Sequence, residues 1–272
     1  MSLDSCLEGI EFERLTPLAR LAKKVVLNPL ANRLPASWWK KWLGNGNSEL
    51  AQANWGNPGG WRSMVISYQG KPEKLWDRLL VNGGSLIDQV DHEPVHLLCL
   101  GAGPGMITAD ALAMANRRAD ATLVDLSDDA FDFGRQHATE MGLRDRMTFI
   151  QGDVRDVVSR IDQRVSIVKT IGIFEYITDD EIGGIAQSLR RVMPAGSAIV
   201  FNSISLRHGT DRFFRRVFGL HMIHRSPRQI QELLDPAGFG RFDIFPEPLG
   251  VYHVVVGRME GKNLGESPRK PS

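Results

Sequence analysis

Three glycine residues stand where a run of apolar residues gives way to an alanine-rich, helix-forming run in the segment HLLCLGAGPGMITADAL, residues 96–112. Glycine lets the backbone turn sharply and approach a ligand, and the N-terminus of a following helix offers free N–H groups. Gly101, Gly103 and Gly105 therefore predict a binding site for a nucleotide or another adenosine-bearing ligand.

Two aspartates follow in positions that suit the same ligand. Asp125 ends the second apolar run, twenty residues after Gly105, where a carboxylate can accept hydrogen bonds from both ribose hydroxyl groups. Asp153 follows the third apolar run, where it can accept a hydrogen bond from an adenine amino group. A glycine turn alone predicts little, but these three motifs in this order favour cofactor binding over an ordinary strand-to-helix turn.

A dinucleotide cofactor is the weaker alternative. Its binding motif carries glycine or another small residue at the sixth position, and this chain has Met106 there. An NAD(P)-dependent reductase is therefore less favoured, although the glycine turn alone does not exclude it.

The elements that must position these residues can be read from the apolar pattern. Val/Ile/Leu-rich runs occur at VHLLCL, ATLVDL, MTFIQ, VSIVKTI and SAIVFNSI, and segments of helical period lie between the first and second, second and third, and fourth and fifth. Such continuous apolar runs are typical of parallel strands buried on both faces. RFDIFPEPLGVYHVVVG adds a predicted hairpin. The pattern predicts an α/β fold with a doubly wound, mainly parallel sheet and an antiparallel hairpin at one edge.

Helix boundaries carry their own signals. Ser127 precedes an acidic helix start, Thr178 and Glu181 form a capping-box pair, and Ser226 with Gln229 opens the last predicted helix. Gly142 and Gly196 stand where two helices are expected to stop.

The composition limits the class of function. The 272 residues are 42% hydrophobic and 24% charged with a net charge of +1, so no global field favours nucleic acid or a membrane as partner. Cys6 and Cys99 have neither disulfide nor metal-ligand spacing, so we expect no metal. The absence of an apolar stretch of about 20 residues and of a basic leader predicts a cytoplasmic location. A small-molecule substrate fits these features best.

Three regions are expected along the chain. We predict a helical cap or lid over residues 1–90, a cofactor-binding domain over 91–259 and a disordered tail over 260–272. Within the cap, aromatic faces that could attract a sulfonium cation stand near a guanidinium that suits a carboxylate. Simple packing of the tryptophans is an equal alternative. These lid or substrate residues are Trp55, Trp61, Arg62 and Tyr68.

From residue 95 to 257 the chain resembles the class I S-adenosylmethionine-dependent methyltransferases. The resemblance lies in LLCLGAGPG, LVDLS, FIQGDVRD and LRRVMPAGSAIVF. It implies a seven-stranded Rossmann-like fold and S-adenosylmethionine as the co-substrate. One residue departs from the family, because an acid usually stands two positions before the first motif glycine, where this chain has Cys99. The cofactor-binding residues that the resemblance implies are Gly101, Ala102, Gly103, Gly105, Asp125, Leu126, Asp153, Val154, Thr170 and Ile171.

Cys99 itself is expected to be a buried core residue without a chemical role, because its neighbours are apolar. The part that the family's acid plays in orienting the methionine end of the cofactor must then pass to another residue. The basic segment 207–228, which holds six arginines, offers one source, since an arginine there could reach a carboxylate. An amphipathic helix with a solvated basic face is the more ordinary interpretation.

The reaction centre is expected beyond the carboxyl ends of the fourth and fifth strands, where ligands bind in open α/β sheets. Glu175, Tyr176, Asn202 and Ser203 are the predicted catalytic residues. Tyr176 could equally be a core tyrosine with its hydroxyl at the surface. Methyl transfer to a small-molecule acceptor is the expected reaction, because positioning an acceptor in line with the methyl group can supply much of the rate.

A second reaction is implied by another resemblance. LGAGPGMIT and GLRDRMTFIQGDVRDV look like stretches of the nicotianamine synthases, and the predicted lid is similar to that of the azetidine-2-carboxylate synthases. The nicotianamine synthases imply transfer of the aminocarboxypropyl arm. The azetidine-2-carboxylate synthases imply closure of that arm on itself, in which the cofactor's neutral amine attacks its own γ-carbon and methylthioadenosine leaves. Tyr176, Asn202 and Ser203 would then hold the amine, with Glu175 or Tyr176 as proton acceptor.

Overall fold

The computed structural model describes residues 84–206, 222–246 and 252–260. Seven strands form one sheet in the order β3-β2-β1-β4-β5-β7-β6. The pairs among β1 to β5 are parallel, whereas β7 is antiparallel to both β5 and β6. The predicted fold and its edge hairpin are therefore confirmed. The strands are β1 (Val95–Leu100), β2 (Ala119–Asp125), β3 (Met147–Gln151), β4 (Ile167–Thr170), β5 (Ala198–Ile204), β6 (Phe239–Pro246) and β7 (Tyr252–Met259).

Six α-helices connect or flank these strands in the described ranges. The pattern missed α4, which follows β3, because its six residues are shorter than the window over which helical period shows. The helices are α1 (Gly84–Gln89), α2 (Met106–Met114), α3 (Asp128–Glu140), α4 (Val154–Ser159), α5 (Asp179–Val192) and α6 (Pro227–Leu234). Two short 3-10 turns add Arg144–Arg146 and Asp235–Ala237.

The predicted helix starts are confirmed. The side chain of Ser127 caps α3, and capping boxes open α5 at Thr178 and α6 at Ser226. Each cap satisfies backbone N–H groups that the first turn of a helix leaves without a partner. Gly142 and Gly196 follow α3 and α5 with φ of 70° and 84°, as helix-terminating glycines do.

The sheet is covered on both faces, which accounts for the continuous apolar runs in its strands. One face, here called the α1–α3 face, carries Leu97, Cys99 and Val200 and packs against side chains such as Leu112 and Phe131. The opposite α4–α6 face carries side chains such as Leu98, Val168 and Phe201. Burial of both faces fixes the register of the strands and thus the alignment of their carboxyl ends.

Several predictions from the sequence lie outside the described residues. These are positions 1–83 of the expected cap, with Trp55, Trp61, Arg62 and Tyr68, and the tail 261–272. In the described ranges, no helix combines the length and hydropathy that crossing a bilayer requires. No cluster of three or more His, Cys, Asp or Glu side chains that could hold a metal occurs in those ranges either.

Candidate cofactor site

The glycine loop links β1 to α2 in a conformation that requires glycine. Gly101, Gly103 and Gly105 have φ of 65°, 53° and 71°, in the left-handed region that side chains disfavour. A Cβ atom would lie 2.1 Å from Cδ1 of Ile173 at the first position and 2.1 Å from Cδ2 of Leu123 at the third. Glycine at these two positions therefore lets the side chains of Ile173 and Leu123 pack directly against the loop at the carboxyl edge of the sheet.

Asp125, the last residue of β2, holds this loop in place. Its Oδ2 accepts a hydrogen bond from the backbone N–H of Gly103 at 2.7 Å, and its Oδ1 accepts one from the N–H of Ser127 at 3.0 Å. An ionised carboxylate has about four acceptor positions, so it can hold the loop and also accept hydroxyl groups. Leu126, the next residue, keeps 42% of its surface exposed, which is notable for a large apolar side chain.

Asp153 lies at the end of β3 as predicted, and it also has a structural role. Its carboxylate caps α4 by accepting the N–H of Arg155 at 2.9 Å, and it forms an ion pair with the guanidinium of Arg155. The hydrogen bonds from Arg155 hold the pKa of Asp153 below its ordinary value. Arg155 also donates to Glu181 of α5 at 2.6 Å. The adenine-binding role of Asp153 stays a prediction, and Arg155 is a competitor for its oxygens.

The segments that follow β4 and β5 bring two of the predicted catalytic residues together. The backbone N–H of Gly172 donates to Oδ1 of Asn202 at 2.7 Å, and Nδ2 of Asn202 donates to Oε1 of Glu175 at 3.3 Å. Glu175 is 7% exposed, and its Oε2 has no hydrogen-bond partner within the described part of the chain. Burial raises the pKa of Glu175 to about 6. The arrangement can hold a carboxylate that exchanges a proton near neutral pH.

Ser203 is not part of this cluster. Consecutive residues of a strand point to opposite faces, so Ser203 lies on the α4–α6 face while Asn202 lies on the α1–α3 face. Its Oγ lies 3.4 Å from Nδ1 of His253, the residue opposite it on β7. The structure therefore divides the residues expected at one reaction centre between two sides of the sheet.

Three of the remaining predicted residues, Thr170, Ile171 and Tyr176, lie at or after the end of β4, and Val154 lies after β3. Thr170 is fully buried, and its hydroxyl donates to the carbonyl of Val200 at 3.4 Å. Ile171 is half-buried and packs against the apolar core of the α1–α3 face. Tyr176 is half-buried, and its N–H donates to the carbonyl of Ile173 in the loop. Val154, which begins α4, is 9% exposed.

Arg225, just before α6, links its segment to the loop that carries Glu175. It is 6% exposed, and it donates from Nε to Asp179 at 2.6 Å and from Nη2 to the carbonyl of Ile177 at 2.9 Å. Nearby, the N–H of Ile223 donates to the carbonyl of Glu175 at 2.8 Å. This arginine of the basic segment binds loop carbonyls and an aspartate, so in this structure it fixes the loop.

Lys169 was not among the site residues predicted from the sequence. It stands on β4 directly beside Cys99 on β1, and it is 6% exposed. Cys99 is a buried core residue, as expected, with Sγ 3.2 Å from Oγ1 of Thr108. The signal for Lys169 was a single lysine inside the apolar run VSIVKTI, because lysine is almost never fully buried unless paired.

Part of this chain is similar to known proteins. Residues 97–196 match a family model described as a methyltransferase domain. The tRNA 5-carboxymethoxyuridine methyltransferase of Escherichia coli strain K12 is 28% identical over 128 residues, which are 46% of this chain and 44% of that enzyme. The chain thus matches less than half the length of this curated relative.

Solved structures share the fold at low sequence identity. The S-adenosylmethionine-dependent methyltransferase SibL, solved in its apo form, aligns with this chain with a TM-score of 0.59 at 17% identity. The alignment covers 90% of this chain and 75% of the SibL chain. An O-methyltransferase family 2 protein from Planctomyces limnophilus DSM 3776, solved in complex with apigenin, has a TM-score of 0.55 at 14% identity, with coverage of 73% and 61%. Residues 97–196 are therefore similar to a methyltransferase domain, and the chain shares a Rossmann-like fold with solved methyltransferases whose co-substrate is S-adenosylmethionine.

Proposed function

We propose that this protein is an S-adenosylmethionine-dependent methyltransferase that acts on a small-molecule acceptor. The observation that carries the proposal is the bond from Gly103 N–H to Asp125, because it joins the glycine loop and the ribose-binding acid into one preformed unit. That unit lies at the carboxyl edge of the sheet, where open α/β folds bind their ligands.

The residues present fit the co-substrate. Gly101, Ala102, Gly103 and Gly105 would face its methionine side, and Asp125 would accept the ribose hydroxyl groups. The exposed apolar surface of Leu126 suits one face of adenine, and Val154 together with Asp153 suits its other side and its amino group. Thr170 and Ile171 would lie near the sulfonium end, beside the loop that carries Glu175.

The chain's own contribution to the reaction is positioning and proton transfer. When bound, S-adenosylmethionine supplies an electrophilic methyl group on sulfur. Asn202 holds Oε1 of Glu175, which leaves Oε2 to accept the proton that an acceptor hydroxyl or amine loses as it forms its bond to the methyl group. The electron pair of the broken sulfur–carbon bond stays on sulfur, so charge and atoms balance. Glu175 is ionised above its pKa of about 6, as a base requires.

A small acceptor is proposed on the basis of charge. The net charge of +1 gives little attraction to a polyanion, although the name of the Escherichia coli relative shows that its own substrate is tRNA. Binding of a mixed tRNA sample that weakens steeply with salt would contradict this part of the proposal.

One incubation tests the reaction itself. Purified protein is supplied with S-adenosylmethionine, first alone and then with a pool of small hydroxyl and amine compounds, and the products are identified by mass spectrometry. S-adenosylhomocysteine that forms only with the pool, together with one compound heavier by a methylene unit, is the expected result. Methylthioadenosine and a four-carbon cyclic amino acid from the cofactor alone would show the cyclisation instead.

The reductase alternative needs a separate measurement. Thermal unfolding is recorded with NADPH, NADH and S-adenosylhomocysteine at equal concentrations, since a ligand that binds the folded state raises the midpoint. We expect a rise with S-adenosylhomocysteine only. A rise with either nicotinamide cofactor and none with S-adenosylhomocysteine would overturn the proposal.

A further inference from the structure

Lys169 is a largely buried residue whose ammonium group has no counter-charge among the described residues. Its side chain lies on the α1–α3 face of β4, between Cys99 on β1 and Val200 on β5, and it is 6% exposed. Throughout the described residues, its ammonium group makes no hydrogen bond and no ion pair. An ammonium group at the end of a buried stem, with no protein partner of its own, is available to bind an anion.

The surroundings of Lys169 place that anion at the glycine loop. Its charge acts on the thiol of Cys99, whose Sγ contacts Thr108 in the first turn of α2. The first turn of a nine-residue helix carries N–H groups without intrahelical partners and a partial positive charge. Lys169 and the first turn of α2 thus both flank Cys99.

Cys99 does not supply the missing negative charge. Burial raises the pKa of its thiol, so it stays protonated at neutral pH. This corner of the protein thus carries the positive charge of Lys169 and no negative charge from Cys99. A site with that sign suits a carboxylate in place of an ammonium group.

We propose that Lys169 binds the carboxylate of the methionine arm of S-adenosylmethionine. This inference rests on the proposed function, which puts the glycine loop at the methionine end of the co-substrate. The arm's carboxylate is the one anionic group that S-adenosylmethionine carries, since adenosine is neutral and both sulfonium and ammonium are cations. Lys169 would therefore orient the methionine arm through this carboxylate.

Calorimetric titration of two ligands tests the proposal. S-adenosylhomocysteine carries the whole arm, whereas methylthioadenosine lacks both its carboxylate and its ammonium group. Lys169→Met keeps the length of the side chain without the charge, and Lys169→Arg keeps the charge. We expect Lys169→Met to lower the affinity for S-adenosylhomocysteine about 10- to 100-fold and the affinity for methylthioadenosine less than about twofold. Lys169→Arg should bind both ligands with affinities close to those of the wild type.

The possible outcomes test the role of Lys169 separately from the proposed function. Equal loss of both ligands in Lys169→Met, or no loss of either, would overturn the role of Lys169 while leaving the proposed function in place. Absence of S-adenosylhomocysteine binding to the wild-type protein would overturn the proposed function itself. If Lys169→Met does not fold, decarboxylated S-adenosylmethionine is titrated into the wild-type protein. Affinity equal to that of S-adenosylmethionine would then refute the proposal, and a loss of about tenfold or more would support it.

Discussion

Asp125 Oδ2 accepts a hydrogen bond from the backbone N–H of Gly103 at 2.7 Å, so the last residue of β2 fixes the loop that follows β1. The loop is also hydrogen-bonded to the β2 backbone, because the N–H groups of Gly101 and Ala102 both donate to the carbonyl of Val124. Strand pairing alone would align the strand ends but leave the loop's curvature open. The carboxylate therefore orders the site before any ligand arrives, which reduces the entropic cost of binding.

The first prediction concerns this carboxylate. Asp125→Ala removes an acceptor for the ribose hydroxyl groups and the support of Gly103, so we expect affinity for S-adenosylhomocysteine to fall at least about tenfold by calorimetry. Asp132→Ala is the matched control, because Asp132 lies on the exposed side of α3 and pairs only with Arg135 in the described residues. Unchanged affinity in Asp125→Ala would show that the site lies elsewhere.

The second prediction concerns the adenine end. Asp153→Ala should lower the affinity for S-adenosylhomocysteine about tenfold but should leave that for S-inosylhomocysteine, which lacks the amino group, within about twofold. Arg155 forms an ion pair with the same carboxylate but is not expected to contact adenine. Arg155→Ala should therefore keep the preference for S-adenosylhomocysteine over S-inosylhomocysteine. Equal effects of Asp153→Ala on both ligands would mean that the aspartate acts only as the cap of α4.

The third prediction concerns proton transfer. Because an ionised Glu175 is needed to accept a proton, kcat with the first acceptor identified should fall as the pH drops through the pKa of about 6. Glu175→Gln should lower kcat by about 10²- to 10⁴-fold, flatten this inflection and change the affinity for S-adenosylhomocysteine little. Glu232→Gln on the exposed surface of α6 is the control. A retained inflection in Glu175→Gln would assign the proton to another group.

The fourth prediction concerns stability at the opposite end of the sheet, where His96 is the second residue of β1 and its side chain contacts Thr122 on β2. Its Nε2 lies 3.0 Å from Oγ1 of Thr122, and burial lowers its pKa below the ordinary value of 6.5. The unfolded chain then binds a proton that the folded protein does not, so stability should fall as the pH decreases below 6.5. His96→Gln should lose this part of the pH dependence of the unfolding midpoint.

Glu175 contributes to the pH dependence of stability in the opposite direction from His96. Its raised pKa means that the folded protein binds a proton between pH 4.5 and about 6 that the unfolded chain has released. It therefore favours the folded state as the pH falls through that interval. Subtracting the midpoint curve of His96→Gln from that of the wild type removes this contribution, and a difference that does not change with pH would contradict the assignment to His96.

The sequence predicted what depends on regular patterns. Apolar runs specified the strands, because both sheet faces are buried, and Ser127, Thr178 and Ser226 marked helix starts that the structure confirms. Contacts between elements far apart in the chain were not predictable in the same way. Arg225 reaches back 46 residues to Asp179, a partner that depends on how the loops pack.

Side-chain direction explains the other differences. Asn202 and Ser203 were expected to act together as neighbours in the sequence, but the alternation of a strand sends them to opposite faces. Lys169 was overlooked because the strand pattern reads apolar on both sides of it. The same alternation, applied once the strand register is known, puts Lys169 on the same face of the sheet as its neighbour Cys99.

The fifth prediction separates two costs of replacing a glycine in the left-handed region. Gly105 and Gly142 have φ of 71° and 70°, yet a Cβ atom at Gly105 would lie 2.1 Å from Leu123, whereas none of the described atoms is within 4 Å at Gly142. Gly142→Ala should therefore cost only the backbone strain, about 1 kcal/mol of unfolding free energy. Gly105→Ala should cost the same strain plus displacement of a buried leucine, for a total of about 2–4 kcal/mol, and should also abolish binding of S-adenosylhomocysteine. Urea unfolding and calorimetry on the two variants measure both effects. Equal destabilisation, with binding retained in Gly105→Ala, would mean that the loop can move away from β2 without loss of the site.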